Sequence, residues 1–168
     1  MMACLRFVRS PHGGAKIMGL PAGEPAVQCY VDGWENLMMT YIWIAVGGAL
    51  GSVARHWCTL VATAWLGAAF PWGTLFINIV GSFVIGLFFA LTGPDGRFDV
   101  PLDAKLFVMT GICGGYTTFS AFSLQTLSLF QDGMWLRGGA YIVASVVLCL
   151  IAVWAGYALA MAINAPAN

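Results

Sequence analysis

Long apolar runs, not an alternation of apolar and polar positions, organise this chain. From Tyr41 onward four of them stand between short polar turns, at about 41–61, 73–91, 106–130 and 138–163. Each is close to the length, about 20 helical residues, that crosses the hydrocarbon of a bilayer. Pro71 lies just ahead of the second run and suits a helix start. Gly93-Pro94-Asp95-Gly96 follows the second run, and Gln131-Asp132-Gly133 follows the third. The pattern predicts an all-α integral membrane protein with four transmembrane helices. Residues 1–37 differ: Gly, Pro and charges are scattered through them, and none of their apolar runs is long enough for a signal-peptide core. Met38 and Met39 sit immediately before the first span. The expectation is an N-terminal extension over 1–37, disordered or arising from an upstream start codon, and a membrane domain over 38–168.

Composition sharpens this picture. The chain is 60% hydrophobic and 8% charged, whereas a soluble domain carries about 25% charged residues. Seven Lys and Arg balance seven Asp and Glu, which leaves no basic face for nucleic acid and no acidic reservoir for cations. The five cysteines, Cys4, Cys29, Cys58, Cys113 and Cys149, show no CxxC or His/Cys ligand spacing. They read as neither a disulfide framework nor a metal site. Gly47 and Gly51, Gly111 and Gly115, and the series Ala152, Gly156, Ala160 repeat at intervals of four. Small faces of this kind let helix backbones approach in lipid; glycine is also simply common in membrane helices, and the set as a whole favours a compact, oligomeric bundle.

The charges carry little orientation signal. If the spans alternate, the Gly93–Lys105 loop shares a side with both termini and bears Arg97 and Lys105, against Arg137 and Arg55 opposite. Loop Lys and Arg set membrane orientation, so this near balance predicts dual topology and an antiparallel dimer.

Candidate chemistry concentrates in the third span, Gly111-Ile112-Cys113-Gly114-Gly115-Tyr116-Thr117-Thr118-Phe119-Ser120-Ala121-Phe122-Ser123. A Gly-Gly pair followed by two threonines weakens a helix, glycine costing about 1 kcal/mol against alanine. Broken backbone at membrane depth survives only where it is buried in protein or lines an aqueous cavity. Half-helix ends at such breaks suit ions, carbonyls facing cations and amides facing anions. Phe119 and Phe122 are three apart and share a helical face, and Ser120 and Ser123 follow them at the same interval. A ring edge is electropositive and can face an anion; two lipid- or core-facing phenylalanines are the competing reading. Asn78, in the middle of the second span, is an amide that hydrocarbon will not tolerate unpaired. It serves either as an anion donor or as a bond between helices. Tyr141, Ser145 and Cys149 fall four apart on the fourth span and could form a polar track. Arg55 is a formal charge within reach of the first span, functional by default or snorkelling to the interface beside Trp57 and Trp65. The spans contain no Asp or Glu, and the chain shows no HExxH, phosphate loop or nucleophile–base set. A proton-coupled transporter or an enzyme has no visible equipment, and a passive path lined by neutral donors fits better.

Three motifs, one per span and in order, resemble the Fluc (CrcB) family of fluoride channels: Gly47-Gly48-x-x-Gly51-x-x-x-Arg55; Trp72-Gly73-Thr74-Leu75-x-x-Asn78-x-x-Gly81-x-x-x-x-Gly86; and Gly111-x-x-Gly114-Gly115-x-Thr117-Thr118-Phe119-Ser120-x-Phe122. The resemblance covers about 38–163. It implies an antiparallel homodimer with two pores in the cell's inner or plasma membrane, exporting fluoride to relieve its toxicity. It implies that Phe119 and Phe122 line the pore, that Asn78 donates to the ion, and that Thr118, Ser120, Ser123, Tyr141 and Ser145 form the polar side. It further implies a structural sodium ion at the dimer axis, held by backbone carbonyls of Gly114 and Thr117, with Arg55 and Gly115 in supporting or vestibule positions.

The sequence departs from the family pattern at Ala121, Gln125 and Cys149, where Thr, Glu and Ser are frequent. Each departure removes or weakens a polar group. The rival reading is a small multidrug-type transporter, also four-spanning and dual-topology, which would need a membrane carboxylate in its first span. A non-conducting membrane partner is a further rival, but it leaves Thr117, Thr118, Ser120, Ser123 and Asn78 without a use.

Overall fold

The computed structural model describes residues 6–9, 15–18, 26–94 and 96–165, with side chains from 37 onward. The chain divides into two compact units, Met1–Met39 and Thr40–Asn168. In the first, strands β1 (Arg6–Arg9) and β2 (Ala15–Met18) pair antiparallel, with Arg6 opposite Met18 and Arg9 opposite Ala15. Residues 1–5, 10–14 and 19–25 of the expected 1–37 extension lie outside the described residues.

The second unit is helical. Helix α1 runs Ala26–Leu66, its apolar part being Leu37–Leu66, and belongs to this unit from Thr40 onward; α2 runs Trp72–Leu91. Next come a short α3 (Leu102–Leu106), a π-helical segment (Phe107–Cys113) and a final turn, α4 (Gly114–Tyr116). After two extended residues, α5 covers Phe119–Gln131, and α6 covers Trp135–Asn164. Three of these helices, 37–66, 72–91 and 135–164, are long and apolar enough to cross a membrane. The helical bounds exceed the expected 41–61 and 138–163 because helix geometry continues into flanking interfacial residues such as Trp65 and Trp135. The third run is not one helix, and neither half reaches bilayer length alone.

Large side chains such as Val53, Trp65, Leu136 and Trp154 are exposed along the outer faces. A soluble fold would bury such a surface; hydrocarbon solvates it at no cost. The interior is small and is closed by glycines. A Cβ at Gly47 would meet the Phe107 carbonyl and Gly111 Cα, one at Gly51 would strike the Ile112 carbonyl, and one at Gly115 the Gly48 carbonyl. Helix α1 and the broken segment therefore lie backbone to backbone and run parallel, with Thr40 Oγ1 donating to Asp103 at 2.6 Å at their common end. Likewise Gly86 faces the Val153 carbonyl and Gly156 the Phe83 carbonyl, joining α2 to α6. Phe70 and Tyr141 meet ring to ring at 5.4 Å near the start of that pair, and Asn164 Nδ2 donates to the Ala90 carbonyl at its other end, 3.0 Å away. Helices α2 and α6 are thus parallel too. Arg97 fastens the same end, its amide donating to Asn164 Oδ1 and its guanidinium to the Ile163 carbonyl, where a cation suits the helix C-terminus.

Candidate functional site: the interrupted helix and its cavity

The interruption falls two residues later than the Gly-Gly pair that drew attention to it. Gly114 and Gly115 remain helical, and the chain is extended at Thr117 (φ −81°, ψ 157°) and Thr118 (φ −152°, ψ 118°). The cause is a competition for hydrogen bonds. In a continuous helix the Thr118 amide would bond the Gly114 carbonyl. Here it donates instead to Asn78 Oδ1 at 2.8 Å, while Asn78 Nδ2 donates back to the Thr118 carbonyl at 3.1 Å. The Ala121 amide, which would close on the Thr117 carbonyl, goes to the Thr118 hydroxyl at 3.2 Å, so Thr118 caps α5. Thr117 turns back, with its amide and hydroxyl both donating to the Cys113 carbonyl. The carbonyls of Gly114 and Thr117 have thereby lost the amides a helix would supply, as have those of Gly115, which accepts from the Ser52 hydroxyl at 3.5 Å, and Tyr116. On the other side of the break, the first amides of α5 point out of its positive end.

A cavity of about 410 Å³ opens against this break. Asn78, Gly114, Thr117, Thr118, Phe119, Phe122 and Ser145 all line it. Phe119 is 77% exposed and Phe122 only 8%, their ring centres 5.3 Å apart and tilted by 48°. Phe122 in turn packs on Tyr141 at 5.1 Å. Ser145 is 5% exposed, and its hydroxyl has no hydrogen-bond partner among the described residues. A buried hydroxyl left unpaired carries a desolvation penalty of about 1–3 kcal/mol, so its retention at a cavity wall points to a polar occupant.

Other expected site residues sit elsewhere. Ser120 is exposed and its hydroxyl is 3.2 Å from that of Thr118; Ser123 donates to the Phe119 carbonyl of its own helix. Tyr141 is fully buried behind Phe122, and its hydroxyl donates to Gln125 Oε1 at 2.9 Å. Gln125 lines a second cavity of about 350 Å³ with Thr59, Thr63, Thr74, Ser128 and Asp132. Gly115 serves the α1 contact, and Arg55 is half-buried on α1, its carbonyl accepting from Thr59. The sequence reading missed Ser82, Met109 and Cys113, which also line the first cavity. For Ser82 the signal was available: it stands four residues after Asn78, on the same face of α2.

Residues 42–157 match the family model described as CrcB-like protein, Camphor Resistance (CrcB). The chain is 56% identical over 126 residues to a protein of Methylocella silvestris, covering 75% of this chain and 96% of the relative. It is 57% identical over 126 residues to one of Rhodospirillum rubrum, covering 75% and 98%, and 54% identical over 127 residues to one of Opitutus terrae, covering 76% and 96%. Each of the three relatives is named a fluoride-specific ion channel FluC. This chain is a multi-pass membrane protein and belongs to the CrcB family.

Proposed function

We propose that the chain is a subunit of a passive, fluoride-selective channel, and not an enzyme or a coupled transporter. The observation that carries the reading is the lining of the 410 Å³ cavity: an amide, hydroxyls, two phenylalanines and the amide end of α5, with no carboxylate. A small anion that sheds water needs donors and electropositive edges without a fixed cation to trap it. Asn78 keeps one Nδ2 hydrogen beyond the bond to Thr118, and Phe119 offers a ring edge. The names of the relatives support fluoride as the ion.

In this reading the chain crosses the inner membrane four times, the interrupted helix being the third crossing, and pairs with an antiparallel copy of itself. Phe119, exposed in the single chain, is a ring that such a copy would cover. A structural sodium ion fits the donor set: the Gly114 and Thr117 carbonyls are neutral oxygens released from helix bonds, and a hard monovalent cation takes such oxygens. Four of them, two per subunit, would hold it and in turn fix the extended backbone at Thr117–Thr118.

Fluoride efflux from proteoliposomes of the full chain, with chloride as the comparison ion, tests the proposal. The expected result is rapid efflux of fluoride alone, sharply slowed by Phe119→Ile. Equal chloride and fluoride rates, or none for either from verified dimer, would reject it.

A further inference from the structure

Three sulfur-bearing residues line the cavity beside Asn78, and nothing in fluoride conduction calls for them. Met109 and Cys113 come from the π-helical segment, four residues apart and so on one face; Cys149 comes from α6, one turn beyond Ser145. Both cysteines are free thiols, Cys113 buried and Cys149 half-buried. Thioether and thiolate ligands select soft cations over hard ones. We infer that Met109, Cys113 and Cys149 form a site for one soft, thiophilic cation on the wall of this cavity. That such binding would block transport rests on the channel reading; the site itself does not.

The spacing excludes a disulfide between Cys113 and Cys149. No Cα of the π-helical segment lies within 8 Å of one on α6, whereas disulfides join Cα atoms about 4.4–6.8 Å apart. Two metal–sulfur bonds of about 2.3 Å each, in place of one sulfur–sulfur bond of about 2.05 Å, extend that reach to roughly 9 Å. Room exists for the ion in the 410 Å³ space, and the unpartnered Ser145 hydroxyl on the same wall offers an oxygen beside it. Coordination releases one proton from each thiol to water and involves no change of oxidation state.

The test uses full-length protein carrying Cys4→Ser, Cys29→Ser and Cys58→Ser, so that Cys113 and Cys149 are the thiols left. Serine at 58 can still accept the Tyr116 hydroxyl now directed at Cys58 Sγ. Titration with mercuric nitrate, followed by thiol counting and mass measurement, is expected to give one mercury per chain with both thiols consumed. Two mercury ions per chain, one on each thiol, or an unreactive Cys113, would overturn the site. In proteoliposomes mercury is expected to stop fluoride efflux, and dithiothreitol to restore it. Cys149→Ser, compared with its own untreated rate, should keep its efflux under mercury; equal block in that variant would also overturn the proposal. If untreated protein shows no efflux, the channel reading fails while the mercury-to-thiol ratio still decides the site.

Discussion

Asn78 grips the backbone of Thr118 from both sides, accepting its amide at 2.8 Å and donating to its carbonyl at 3.1 Å. A side-chain amide has the same donor and acceptor as a peptide, so Asn78 acts as one extra peptide unit inserted from α2 into the interrupted helix. It answers the demand that broken backbone at membrane depth find partners. The two readings of Asn78 left open by the sequence, helix-to-helix bond and anion donor, are compatible, because the amide has a second hydrogen.

Replacing Asn78 should therefore damage both structure and transport. Asn78→Leu strands the Thr118 amide and carbonyl, at about 1–3 kcal/mol for each group. Asn78→Asp keeps the acceptor but sets a carboxylate oxygen against the Thr118 carbonyl and a negative charge in an anion path. The expected outcome is a lower unfolding temperature for Leu, and loss of fluoride efflux for both, read in detergent and in proteoliposomes respectively.

The two phenylalanines should separate in the same assays. Phe122 is 8% exposed and wedged between Phe119 and Tyr141, while Phe119 is 77% exposed. Truncating a buried Phe to Ala costs about 3–5 kcal/mol, and exposed substitutions usually fall within about 0.5 kcal/mol. Phe122→Ala should lower thermal stability markedly. Phe119→Ala should leave the isolated fold nearly as stable while slowing efflux. Equal destabilisation by both would contradict the packing.

The glycines of α1 offer an internal control. A Cβ at Gly51 would strike the Ile112 carbonyl, which is backbone and cannot swing away, whereas a Cβ at Gly48 meets nothing within 4 Å. Overpacking of this kind costs about 1–3 kcal/mol. Gly51→Ala should reduce the yield and melting temperature of folded protein, and Gly48→Ala should not. A neutral Gly51→Ala would mean that α1 can pull back from the break.

Removing sodium tests the carbonyl site. If the Gly114 and Thr117 oxygens hold the ion across a dimer, exchange of Na+ for N-methylglucamine takes away a cross-subunit ligand. A bound ligand stabilises by about 2.7 kcal/mol when present at a hundred times its Kd. The dimer should melt earlier in the organic cation and recover on adding Na+. An unchanged melting curve after exhaustive exchange would remove the ion from the proposal.

Much of this arrangement was legible in the sequence because membrane helices announce themselves by length and apolarity. The small residues at 47, 51, 111 and 115 marked the faces that meet, and Asn78 stood out as a polar group in hydrocarbon. Less legible was anything decided by a partner. Gly-Gly drew attention to the break, but the bond from Asn78 moved it to Thr117–Thr118. Helical spacing grouped Ser123 with the phenylalanines, yet its hydroxyl satisfies the Phe119 carbonyl one turn back. Tyr141 looked like part of a polar track, and its hydroxyl is turned toward Gln125. Met109 and Cys113, four apart, share one face at either helical pitch, but their apolar character gave no sign that this face borders the cavity.

Ser145 gives the sharpest separation of stability from function. Its hydroxyl is buried at the cavity wall with no partner among the described residues. In most proteins, deleting a buried hydroxyl removes a hydrogen bond and destabilises by about 1 kcal/mol. Here Ser145→Ala deletes only an unsatisfied group, so the folded protein should be as stable as before or slightly more so. If the hydroxyl instead serves a passing anion, the same substitution should slow fluoride efflux. A melting temperature that holds or rises together with a falling rate is the expected pair. A drop in stability with unchanged efflux would assign Ser145 to the fold and take it out of the path.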